Sequence, residues 1–171
     1  MTCCTSSCRT RKGTCLYALE VPSHGGNTLF ANCYKAYETM PRELRDKLDG
    51  RRAFNSYNLG EVKRGDGTGV HVKQASHPVF RTHEETGRKG VYINRLMTEC
   101  IEDMPREESD RLLKAVFDHS ENPEWIYEHV WRPHDMLLWD NRCSMHARTD
   151  FPAGERRLML RTTIEGEVRP R

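Results

Sequence analysis

The chain has 171 residues, 36% hydrophobic and 30% charged, with a net charge of +2. That is enough for one domain with a core, and it falls outside the few-apolar, high-charge signature of disorder. Acids and bases are interspersed, so no single-sign face is expected to attract a nucleic acid or an anionic membrane.

No apolar run reaches the roughly 18 residues of a membrane span, and residues 1–13 lack the apolar middle of a secretory signal, which predicts a cytoplasmic location. Four of the seven cysteines, Cys3, Cys4, Cys8 and Cys15, fall in the first fifteen residues. Their spacing does not pair as in structural zinc sites, and the odd count without a signal predicts reduced thiols.

Residues 14–21 have the apolar and β-branched content of a strand, stopped by the turn residues Pro22, Ser23, Gly25 and Gly26. From Leu29 to Met40 apolar residues recur at helical spacing, and Pro41 predicts the start of a second helix running through Leu48. Residues 55–69 are rich in Gly, Asn and charge and predict a surface loop, turning at Asp66-Gly67.

Two short strands, 77–83 and 90–94, are expected around the turn 84–89. A one-sided stripe of Leu112, Leu113, Val116 and Phe117 predicts a helix over 109–119. Strands follow at 125–131, 136–139 and 158–164. Short strands around two or three helices give a mainly β fold with helical insertions, such as a jelly roll.

Of eight histidines, His24, His71, His77, His119, His129 and His134 are expected to be structural or surface residues. His146 differs: it lies in a polar strand-to-loop segment and is followed by Arg157 and Arg161. Four residues apart on an extended strand, those two arginines would share a face. Buried there, they would need anions, either carboxylate or sulfonate ligands or protein acids such as Asp140 or Asp150.

Three segments carry a resemblance: residues 19–38 (Leu-Glu-Val-Pro-Ser-His-Gly-Gly-Asn-Thr and onward), residues 77–94, and residues 131–142 (Trp-Arg-Pro-His-Asp-Met-Leu-Leu-Trp-Asp-Asn-Arg) with His146. Together they resemble the taurine dioxygenase (TauD/TfdA) family over about residues 16–170. The resemblance implies a double-stranded β-helix and an Fe(II)- and 2-oxoglutarate-dependent oxygenase acting with O2 on a small, anionic molecule.

It implies His146 as a metal ligand, Arg157 and Thr28 as holders of the far carboxylate of 2-oxoglutarate, and Arg161 as the substrate-side arginine. The family's remaining iron ligands form a His-x-Asp motif, and no His-x-Asp occurs in this chain. His-x-Glu occurs at His83 to Glu85, in an expected hairpin turn, and at His119 to Glu121, at a helix end; both are read as coincidence. Residues 1–15 are read as an atypical Cys-rich start and 16–171 as the C-terminal part of the family's domain. An N-terminally incomplete jelly roll with impaired activity is therefore expected, with exposed sheet edges that invite homo-oligomers. The alternative is a non-catalytic chain that binds a small acid or a protein partner.

Overall fold

The computed structural model describes residues 11–57, 73–168 and 170. In chain order these form β1 (Arg11–Glu20), β2 (Thr28–Asn32), α1 (Cys33–Glu38), α2 (Arg42–Leu48), β3 (Arg52–Tyr57), β4 (Lys73–Pro78) and β5 (Phe80–Thr82). There follow β6 (Lys89–Val91), β7 (Thr98–Ile101), α3 (Arg106–Ser120), β8 (Ile126–His129), β9 (Met136–Asp140), β10 (Ser144–Arg148) and β11 (Leu158–Glu165). Among the described residues every strand pairing is antiparallel.

Two three-stranded sheets, β11-β1-β9 and β10-β2-β8, form the jelly-roll part. Register decides what they face. Opposite residues in an antiparallel pair share a sheet face, so Thr14, Trp139 and Thr163 share one, as do Leu16, Leu137 and Arg161. Trp139 rests edge-on against Phe30 and His146 of the second sheet, with ring centroids 5.1 and 5.0 Å away. This face is therefore the inner one. The outer face carries Met136, Leu138, Leu160 and Ile164, all exposed.

The main hydrophobic core lies elsewhere. It joins Ala36, Met40, Leu48, Ala53, Val79, Phe80, Val91, Ile93 and Ile101 to the buried stripe Leu112, Leu113, Val116 and Phe117 of α3. The helices and the sheet β4-β3-β7 thus hold the chain together, while the space between the two jelly-roll sheets stays partly open. Among the described residues no helix is long and apolar enough to cross a membrane.

Several expected elements change. The helix expected from Leu29 begins as strand β2, which is held between β8 and β10 and alternates Thr28 and Phe30 inward with Leu29 and Ala31 outward. Only at Asn32 does the chain turn helical, its side chain accepting the Lys35 N–H at 3.0 Å as an N-cap. The expected loop at 55–69 yields its first three residues to β3. The Asp66-Gly67 turn lies outside the described residues, as do His71, Cys3, Cys4 and Cys8. The strand expected at 77–83 is divided into β4 and β5 at Val79, and the short strand β7 had no distinct sequence signal. His146, expected in a strand-to-loop segment, sits in the middle of β10, a strand not expected from the sequence.

Candidate functional site: a groove beside His146

Cross-strand register builds the site. His146 stands opposite Phe30, which stands opposite Tyr127, and the next row on the same face is Arg148, Thr28 and His129. Trp139 and Arg161 approach from the facing sheet. Tyr127, His146, Arg148 and Arg161 are exposed, so the groove is open to solvent.

The His146 ring is flanked by Trp139 and Phe30, the latter with centroids 6.2 Å away. Although the residue is exposed overall, this crowding strips water from the imidazole and lowers its pKa, and the positive charge of Arg161 lowers it further. A neutral imidazole with an available lone pair is the form that ligates a metal.

Thr28 is buried, and its hydroxyl accepts the indole N–H of Trp131 at 2.9 Å. The hydroxyl's own proton has no acceptor among the described residues and remains available to a ligand oxygen. Arg157 lies just before β11 rather than within it, and donates its Nε–H to the Gly26 carbonyl at 2.8 Å. Burial and then the nearby Arg148 charge lower its pKa.

Gly26 has φ +65°, and a Cβ there would lie 3.0 Å from Arg157 Cδ. At Gly25, with φ +71°, a Cβ would fall 2.2 Å from the Asp150 carbonyl. The glycine pair lets the β1–β2 connection close against residues 150 and 157, which ties Arg157 to the backbone two residues before Thr28.

The expected buried arginine pair is corrected. Arg157 is half-buried and Arg161 exposed, because the groove is open above the latter. The protein-acid alternative also fails among the described residues: no carboxylate there pairs with either arginine. Asp140 takes Arg142 and His83, and Asp150 lies 3.9 Å from Arg148. Both His-x-Glu sequences are structural. Glu85 pairs with Lys12 and Arg142, Glu121 pairs with Arg95, and the His119 ring bonds the Ala36 carbonyl.

One cluster of ligand-type side chains does come together among the described residues: His83, Asp140 and Cys143, with donor atoms within 4.8 Å of one another. Its hydrogen bonds speak against a metal. His83 Nδ1 accepts the N–H groups of Glu85 and Thr86, so Nε2 carries the proton, and it donates to Asp140 at 3.1 Å. Asp140 is further occupied by the guanidinium and backbone N–H of the buried Arg142. Burial first, then Asp140, raise the Cys143 pKa and keep the thiol protonated. The cluster ties the β5–β6 turn to the β9–β10 turn.

This frame is a jelly roll whose inner face presents His146 beside Arg161, which no carboxylate among the described residues pairs with. The chain belongs to the taurine catabolism dioxygenase TauD, TfdA family, whose model matches residues 5–163. It is 34% identical over 167 residues to the (S)-phenoxypropionate/alpha-ketoglutarate-dioxygenase of Sphingobium herbicidovorans, covering 91% of this chain and 58% of that protein. It is 33% identical over 159 residues to the alpha-ketoglutarate-dependent 2,4-dichlorophenoxyacetate dioxygenase of Cupriavidus pinatubonensis, covering 90% and 55%.

Among solved structures it superposes on AAD-2 in complex with Mn(II) and N-oxalylglycine with TM-score 0.83 and 28% identity, covering 94% of this chain and 66% of that one. A taurine dioxygenase from Burkholderia xenovorans gives TM-score 0.83 and 27% identity, covering 97% and 56%. The chain spans about half the length of the curated relatives it matches.

The family implies Fe(II) and 2-oxoglutarate, and the described residues fit the two unequally. Arg157 and Thr28 supply unpaired donors suited to a carboxylate. For iron, the one cluster of three ligand-type side chains among the described residues does not include His146. A facial triad of two histidines and a carboxylate is not assembled there.

Proposed function

We propose that this chain carries the acid-binding side of an Fe(II)- and 2-oxoglutarate-dependent dioxygenase site. The observation that carries the reading is the pair of arginines, Arg157 and Arg161, free of protein carboxylates among the described residues, on the elements that border the His146 groove. Arg157 and Thr28 hold the far carboxylate of 2-oxoglutarate, His146 is a metal ligand, and Arg161 meets the anionic group of a small substrate. The complete reaction hydroxylates that substrate with O2, releasing succinate and CO2.

Residues 16–171 are, in this reading, the C-terminal part of a taurine dioxygenase-like domain. With no group of three ligand-type side chains assembled around His146 among the described residues, the 171-residue chain binds Fe(II) weakly and its turnover is impaired. Purified chain supplied with Fe(II), 2-oxoglutarate and ascorbate is expected to release no succinate above a protein-free blank. Steady succinate release abolished by His146→Ala would refute the impairment and leave the dioxygenase assignment standing.

A further inference from the structure

Resting on the assignment of Arg157 and Thr28 to a carboxylate, we propose that this chain takes up dicarboxylates without a divalent cation and does not distinguish 2-oxoglutarate from glutarate. The two molecules share the carboxylate that Arg157 and Thr28 meet, and they differ by one keto oxygen beside the other carboxylate. To read that oxygen a site needs a chelating cation or a donor fixed against it.

Among the described residues neither is assembled. No group of three ligand-type side chains includes His146, and the cluster that does hold three is closed by its own hydrogen bonds. What the groove offers beyond Thr28 is charge and aromatic surface. Arg148 lies over the Phe151 ring and has, as its acid partner, a long 3.9 Å approach to Asp150, Arg161 has no acid partner, and Phe30, Tyr127 and Trp139 supply ring faces and edges. Arginine side chains attract a carboxylate whether or not a keto group adjoins it. Affinity therefore follows the carboxylates, and the keto group adds nothing.

The test is isothermal titration of the full 171-residue chain, freed of metal by chelation, with 2-oxoglutarate and with glutarate, each repeated with Mn(II) present. The expected result is two dissociation constants within about threefold of each other, each changed less than twofold by Mn(II). Arg157→Gln should weaken both by tenfold or more, and Arg157→Lys, which keeps the charge but not the forked donor, by less.

Mn(II) tightening 2-oxoglutarate by tenfold while leaving glutarate unchanged would overturn the proposal and leave the role of Arg157 intact. Binding of neither diacid, or equal binding by wild type and Arg157→Gln, would overturn the carboxylate assignment itself and the proposal with it. The wild-type comparison of the two acids needs no variant, so it stands even where a substitution impairs folding.

Discussion

The Nε–H of Arg157 donates to the carbonyl of Gly26 at 2.8 Å, which leaves the two terminal nitrogens of the guanidinium without a partner among the described residues. The bond orients the side chain from a backbone whose φ of +65° suits glycine, with Arg157 Cδ 3.0 Å from where a Cβ would sit. The arginine's aim and the glycine's conformation are therefore one feature.

Gly26→Ala is expected to lower stability by about 1–2 kcal/mol through left-handed backbone strain. It should also push Arg157 aside and weaken dicarboxylate binding several-fold. Thermal unfolding and titration calorimetry on the same sample check both parts. Unchanged affinity alongside lowered stability would separate Arg157 from the acid site.

Thr28→Val keeps the shape of the side chain but deprives the Trp131 indole N–H of its buried acceptor. A cost of about 1–3 kcal/mol is expected from the orphaned donor. Denaturant unfolding followed by tryptophan fluorescence measures it, and a loss below about 0.5 kcal/mol would show that the hydroxyl matters little to the folded state.

His146 should titrate below the ordinary histidine range, because lost hydration and then Arg161 disfavour its charged form. It is neutral at pH 7 and charges only as the pH falls through its lowered value. The stability it lends is present above the unfolded pKa of about 6.5 and is lost on acidification below that. Ring-proton NMR should show this, and Arg161→Gln should raise the value without restoring it fully, since the rings of Phe30 and Trp139 remain.

Burial alone would raise the Asp140 pKa, but hydrogen bonds from the Arg142 side chain and backbone and from His83 outweigh it and hold the carboxyl at about 2. A depressed carboxyl stabilises the fold above the unfolded pKa of about 3.9, and that contribution is lost as pH falls towards 2. Asp140→Asn should cost about 3 kcal/mol at pH 7 by leaving the buried Arg142 charge without its main partner. The wild type should lose its advantage over the variant in acid denaturation between pH 4 and 2. Parallel acid profiles for the two proteins would contradict the pairing.

Much of the fold was legible in the chain itself. The stripe of Leu112, Leu113, Val116 and Phe117 marked α3, Pro41 marked α2, and runs such as Met136 to Trp139 marked strands, because each follows from a local period or a single restricted residue. Thr28 to Asn32 misled because Leu29, Phe30, Cys33, Tyr34 and Tyr37 fit a helical period, whereas the strand is imposed by two partners about a hundred residues later in the chain.

The sequence by itself determined the mainly β architecture, since residue types and local periods are properties of the chain, and its resemblance to the family pointed to His146, Thr28, Arg157 and Arg161. Only the tertiary structure decided that Arg148, Phe30, Tyr127 and Trp139 border the same groove, that Arg161 is exposed, and that Asp140 belongs to Arg142 and His83. Those outcomes depend on strand register and sheet packing, in which a one-residue slip exchanges one face for the other.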